Sequence, residues 1–175
     1  LMLTGETAAG HYPVQAMEFL DILALRQALA EAGAPQIRIF AKIENLAGVQ
    51  ALPEFLSLVD EVVIARGDLG NAMPLWELPR CQKQLSAACR AAGVPFMVVT
   101  QMLDSMCTRA VPTRAEVSDI YNAVLDGASS LMLTGETAAG HYPVQAMDLA
   151  QNGSAALHGL FKNRHRGPSI LPTKF

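Results

Sequence analysis

The feature that most narrows what this chain can fold into is a succession of short apolar runs in which polar residues do not alternate: Ile37 to Ala41, Glu61 to Ala65, Phe96 to Val99 and Ser130 to Leu133. A strand with one face in water alternates apolar and polar residues, whereas a strand in a parallel sheet is covered on both faces and is apolar throughout. Helical patterns lie between the runs. From Pro13, apolar residues recur at Val14, Met17, Leu20, Leu23, Ala24, Ala28 and Leu29, and Ala32-Gly33 closes the pattern as a glycine C-cap. Leu46 to Leu58 is predicted as one or two short helices, because Pro53 fits badly inside a single long one. After a loop through Met73-Pro74, Leu75 to Ala92 is predicted helical, with Pro79 confined to the first turn and Gly93 as the cap. Thr113 and Glu116 have the spacing of a capping box for a helix running to Leu125, and Tyr142-Pro143 opens a last helix toward Leu160. Strand and helix alternate over short connections, which predicts an α/β fold of the parallel (β/α) TIM-barrel type, a partial barrel of about four to five strand-helix units. Eight such units close a barrel over some 200 residues or more. A chain of 175 residues is therefore expected to supply about half of one, with open edges that need a partner or a truncated parent to explain them.

Comparing the chain with itself reveals a second constraint. Leu1 to Met17 is identical to Leu131 to Met147, and the identity stops abruptly at Glu18 and Asp148. A solenoid repeat would decay over a whole structural unit, so the pattern points to a recent duplication or a joining of two pieces at a shared segment. The first copy lacks the Gly127-Ala128-Ser129-Ser130 lead-in of the second, and its strand is expected to be truncated. The expected organisation is a duplicated strand-loop segment at 1–17, a half-barrel at 18–150 and an unmatched tail at 151–175.

Composition excludes several functions. A net charge of −3 and a pI near 5.8 leave no basic surface for nucleic acid. No apolar run approaches the 18 residues or so of a membrane span, and no signal-peptide pattern is present, so a cytoplasmic location is expected. Cys81, Cys89 and Cys107 lack metal or redox spacing and read as buried thiols.

The chemistry-bearing residues gather where apolar runs end. Lys42 and Glu44 stand two apart and so share a face if the strand continues, and Asp68 follows the run Val62 to Ala65. Two carboxylates at neighbouring strand ends can hold a divalent metal with a cation beside it; a purely structural Lys/Glu/Asp cluster is the alternative. Arg66 reads either as a metal-side or substrate residue or as a fixed arginine pairing with acids below the sheet. Met97, Met102, Met106 and Met132 read as core packing, Trp76 as packed against its neighbours, and His11 and His141 as exposed loop residues without chemistry.

Six motifs then occur in order: KIEN at Lys42 to Asn45, ARGDLG at Ala65 to Gly70, TQMLDSM at Thr100 to Met106, PTRAEVSD at Pro112 to Asp119, NAVLDG at Asn122 to Gly127 and GETAAGHYP at Gly135 to Pro143. Over Ile37 to Met147 the chain closely resembles the second half of the catalytic barrel of pyruvate kinase. The resemblance implies phosphoryl transfer between phosphoenolpyruvate and ADP, giving pyruvate and ATP in glycolysis. It implies that Glu44 and Asp68 hold Mg²⁺, that Lys42 stabilises the transferring phosphoryl group and the enolate, and that the amides of Gly67 and Asp68 with the Thr100 hydroxyl bind the substrate carboxylate. It further implies that Thr134 and Glu136 serve the proton relay to the enolate carbon. K⁺ is expected for the family, but its ligands, like the nucleotide-closing lid, have no counterpart in the chain. Little or no kinase activity is therefore expected of this chain alone. The other readings are a metal-dependent enolate or pyruvate lyase on a dimeric barrel, hence a homo-oligomer, and a module without turnover.

Overall fold

The structure, a computed structural model, describes residues 2–4 and 19–163, and the side chains of residues 21–154. Its centre is a five-stranded, wholly parallel sheet in sequence order: β1 (Met2–Thr4), β2 (Phe40–Ile43), β3 (Glu61–Ala65), β4 (Phe96–Val99) and β5 (Ser130–Met132). Helices α1 (Phe19–Glu31), α2 (Leu46–Phe55), α4 (Leu78–Ala92), α5 (Arg114–Leu125) and α7 (Pro143–Asn163) alternate with the strands, and two short helices, α3 (Arg66–Ala72) and α6 (Gly135–Ala138), follow β3 and β5. Sequential neighbours joined by helices on one face are the wall of a (β/α) barrel, as the apolar runs predict.

Side-chain alternation divides the sheet into two faces. Ala41, Ile43, Val62, Ile64, Phe96 and Val98 pack with Ile22, Leu52, Phe55, Leu85 and Ile120 from the helices in the main core. On the other face Val63, Ala65 and Val99 form a small cluster, with Phe40, Met97 and Met132 half-buried around it. Met102 and Met106 are in the main core, as expected of gap-filling methionines. The thiols of Cys81 and Cys89 are buried too, and burial pushes the Cys89 thiol up to about 11.

Local expectations hold with instructive shifts. β2 begins at Phe40, three residues later than the apolar run, because Ile37 lies in the preceding turn and is exposed. Pro53 sits inside α2, and the chain tightens into a 3₁₀ turn only at Leu56–Leu58, so the break comes after the proline. α4 starts with Pro79 in its first turn and ends on Gly93 at φ +69°. The helix predicted from Pro13 is described only from Phe19; its first turns lie outside the described residues. α3 and α6 go beyond the sequence pattern, since neither Arg66-Gly67-Asp68 nor Gly135-Glu136-Thr137 shows helical periodicity at such short length. Trp76 is 81% exposed rather than packed.

The edge of the sheet where strands begin is a structural pole. Asp60 accepts from the Ile39 amide at 2.6 Å and pairs with Arg26 at 2.6 Å. Buried Glu61 accepts from the hydroxyls of Ser129 (3.2 Å) and Ser130 (3.0 Å) and pairs with Arg38 at 3.2 Å, which ties β3 to β5 across β4.

The capping box of α5 forms as predicted, and Glu116 goes further: it also accepts from the amide (2.7 Å) and hydroxyl (2.6 Å) of Ser105 in the preceding loop. Partial burial pushes the Glu116 carboxyl up, but the bonds from Ser105 and Thr113 outweigh it and hold the group below its ordinary value of 4.5. A depressed folded value means the stabilisation is present above the unfolded value and is lost as pH falls through the folded one. Glu116→Gln is expected to lower stability by about 1 kcal/mol at pH 7 and to flatten the acid side of the stability profile, as read by thermal melts from pH 7 to 3.

Candidate active site

At the opposite edge, where the strands end, the functional side chains collect. The register sets Lys42 beside Val63 on neighbouring strands, and Glu44 lies one residue past β2. β3 ends at Ala65 and turns directly into α3, which carries Arg66, Gly67 and Asp68 in its first turn. The Lys42 ammonium contacts the Glu44 carboxylate and stands 3.6 Å from Asp68 Oδ2. Glu44 is buried, while the Asp68 side chain is 37% exposed, so the cluster opens to solvent on the aspartate side. The cation-and-two-acids arrangement expected from strand ends is thus assembled.

Thr100 and Gly67 form the second group. The Gly67 amide donates to Thr100 Oγ1 at 2.7 Å, and the same hydroxyl donates to the Val99 carbonyl at 2.6 Å. A Cβ on residue 67 would lie 3.3 Å from that oxygen, so glycine is what lets the Thr100 side chain sit this close to the backbone at 67. The two groups that the resemblance assigns to a substrate carboxylate therefore hold each other here. Thr100 and Gln101 both adopt left-handed backbone, φ +70° and +51°, a conformation that costs a β-branched residue on the order of 1–3 kcal/mol.

What holds Thr100 in that conformation is Arg66. One end of its guanidinium donates to the Thr100 carbonyl at 2.9 Å and contacts Met102 Sδ; the other pairs with Asp119 of α5 at 2.6 Å. The Arg66 side chain is 11% exposed, and its Nε has no hydrogen-bond partner among the described residues. The pairing agrees with the reading of Arg66 as the fixed partner of an acid: it joins Asp119 to the Thr100 carbonyl. Asp119 escapes sequence reasoning because it lies 53 residues away, with nothing local to connect the two.

Thr134 and Glu136 form a third group. Glu136 is buried and accepts from the amides of Leu103 (3.0 Å) and Thr134 (2.8 Å), with the Thr134 hydroxyl at 3.4 Å. Burial raises its carboxyl, yet these donors prevail and hold it below the ordinary carboxylate value, so it is ionised at neutral pH. Its bonds run to the loop after β4 and to its own helix.

No described group of three or more His, Cys, Asp or Glu forms a dedicated metal cage. Two carboxylates nonetheless suit Mg²⁺, which takes one or two protein carboxylates and completes its shell from substrate and water. Lys42 lies against both acids, so the acids face one region of space.

The sequence matches the family model for the pyruvate kinase barrel domain over residues 18–147. The chain belongs to the pyruvate kinase family. It is 48% identical over 132 residues to pyruvate kinase from Bacillus licheniformis, covering 75% of this chain and 23% of that protein. It is 51% identical over 129 residues to pyruvate kinase 2 from Saccharomyces cerevisiae, covering 74% and 25%. A crystal structure of a pyruvate kinase from Cryptosporidium parvum superposes with a TM-score of 0.76 at 35% identity, covering 90% of this chain and 35% of that one. The chain spans about a quarter of the length of the curated relatives it matches. Pyruvate kinases are metal-dependent as a family, and the fold is the expected piece of their barrel. Among the described residues no helix is long and apolar enough to cross a membrane.

Replacing Arg66 by Met removes the Thr100 and Asp119 contacts together. Arg66→Met is expected to cost roughly 1.5–3 kcal/mol in denaturant unfolding, and Arg66→Lys nearly as much, because an ammonium cannot span both partners.

Proposed function

We propose that the strand ends around Lys42 form the metal and phosphoryl corner of a pyruvate kinase site, serving phosphoryl transfer between phosphoenolpyruvate and ADP to give pyruvate and ATP. The observation that carries this reading is the Lys42 ammonium set between buried Glu44 and half-exposed Asp68 at one sheet edge. Because the chain spans only about a quarter of its relatives, the turnover of a whole enzyme, its nucleotide partner and a cytoplasmic setting all belong to this proposal.

Glu44 and Asp68 would hold Mg²⁺, which when bound supplies positive charge to the substrate's phosphoryl and enolate oxygens. Lys42 turns its ammonium toward the equatorial oxygens of the transferring group, where charge accumulates between the breaking bond to the enolate oxygen and the forming bond to ADP. The substrate carboxylate takes the amides of Gly67 and Asp68, which lie in the first turn of α3 and have no partner inside that helix. To join them, the Thr100 hydroxyl releases the Gly67 amide to the ligand and turns from the Val99 carbonyl to donate to it as well. Glu136 is ionised and fully engaged with donors, so it orients and does not itself give a proton. The Thr134 hydroxyl then relays to the enolate carbon a proton drawn from water, receiving one proton as it gives one, while Glu136 orients it.

Oxalate, a planar dianion shaped like the enolate of pyruvate, separates binding from turnover. Calorimetric titration of Mg²⁺ into the chain with oxalate is expected to show binding, which Glu44→Gln and Asp68→Asn each weaken by about tenfold or more. Lys42→Met is expected to abolish any pyruvate formed from phosphoenolpyruvate and ADP while leaving the circular dichroism unchanged. Unaltered Mg²⁺-oxalate binding in Glu44→Gln would contradict the assignment.

A further inference from the structure

The two edges of the sheet carry the same sequence. β1 lies in Leu1-Met2-Leu3-Thr4 and β5 in the identical Leu131-Met132-Leu133-Thr134 with Ser130 before it, and the two strands are at opposite ends of the order β1-β2-β3-β4-β5. One flank of this stretch pairs with β2, through Met2 opposite Phe40, Leu3 opposite Ala41 and Thr4 opposite Lys42. The other flank pairs with β4, through Val98 opposite Leu131 and Val99 opposite Met132. The facing agrees as well. Met2 is in register with Phe40 and Met132 with Val99, and Phe40 and Val99 belong to one cluster on the same face of the sheet. A single strand of this sequence is therefore compatible with both neighbours at once.

We propose that two copies of this chain exchange edges: β5 of each copy takes the place of β1 beside β2 of the other, so that β2 to β5 of both copies close one eight-stranded barrel. Four strands from each copy meet the count of eight at which parallel barrels of this class close. The arrangement is an isologous two-fold dimer, and it pairs both flanks of β5, where the single copy leaves one flank without a strand among the described residues. When β1 leaves, the same residue types in β5 of the other copy take over its pairing with β2, so the exchange of β1 for β5 is close to neutral. The gain is the second flank of β5 and a partner for the small cluster of Val63, Ala65 and Val99, whose neighbours Phe40, Met97 and Met132 remain half-exposed. A parallel strand is normally covered on both faces, and a second copy supplies that cover with the same chemistry. Residues 1–17 fall outside the family match, which begins at residue 18, whereas the second copy of the repeat falls inside it; β1 is the strand the barrel can release. Closure also sets the loop after β5, with Thr134 and Glu136, beside Lys42 of the other copy, since Thr4 occupies that register in the single chain.

The test uses the full chain and reads mass and connectivity, with no metal or substrate, so its failure is separate from any failure of the proposed chemistry. Native mass spectrometry is expected to give twice the 18.7 kDa of one chain. The tethered β1 competes at an effective concentration on the order of millimolar, so Leu3→Pro, which disables it as a sheet strand, is expected to strengthen the dimer. Mixing Phe40→Cys with Met132→Cys copies is expected to yield a disulfide-linked heterodimer that neither variant forms alone. Within one copy β2 and β5 lie three strands apart, about 14 Å, beyond the reach of a disulfide. A monomer for both the natural chain and Leu3→Pro overturns the proposal, and so does a dimer in which the mixed cysteine pair fails to link.

Discussion

Arg66 is the interaction on which the edge where the strands end depends. It stands at the junction of β3 and α3, and its guanidinium joins that junction to the Thr100 carbonyl at the end of β4 and to Asp119 on α5. Thr100 holds its position at the cost of left-handed backbone, and a charge-assisted bond to its carbonyl is of the same order as that cost. Through Thr100 the effect reaches Gly67, whose amide the threonine hydroxyl holds, and so reaches the turn that carries Asp68. Arg66 thereby helps to fix the aspartate on one side of the Lys42 cluster.

The sheet separates stability from chemistry by the direction of its strands. Where strands begin, Asp60 and Glu61 are matched by Arg26, Arg38 and serine hydroxyls, and their charges are fully used in holding α1, β2, β3 and β5 together. Where strands end, Lys42 lies against both Glu44 and Asp68, and the aspartate is open to water. Two carboxylates beside an ammonium at an edge open to water are a suitable arrangement for receiving a cation with an anionic substrate. Glu136 is intermediate: it sits near the chemical end, yet its donors are those of a structural carboxylate.

Much of this is legible in the residues. The unalternating runs announce the parallel sheet, Thr113 and Glu116 announce their capping box, and Lys42, Glu44 and Asp68 can be set together because strand ends in such a sheet share one side. Other parts are hidden for physical reasons. Helices of four to seven residues, such as α3 and α6, carry no periodicity to detect. The left-handed backbone of Thr100 runs against the preference of a β-branched residue and is imposed by a tertiary contact. The Arg66–Asp119 pair spans 53 residues and needs the fold to be visible. Trp76 departs from expectation because a large apolar residue normally packs, and here the 3₁₀ turn Leu75–Glu77 leaves it outside.

In the proposed site the carboxylates of Glu44 and Asp68 face a common cation position beside the Gly67 amide. Crystals of the full chain grown with Mn²⁺ and oxalate, measured by anomalous scattering at the manganese edge, test it most directly. The expected result is one anomalous peak within bonding distance of both carboxylates, with an oxalate carboxylate against the Gly67 and Asp68 amides and the Thr100 hydroxyl turned from Val99 toward it. A manganese peak that touches neither acid, or oxalate bound away from Gly67, would contradict the account.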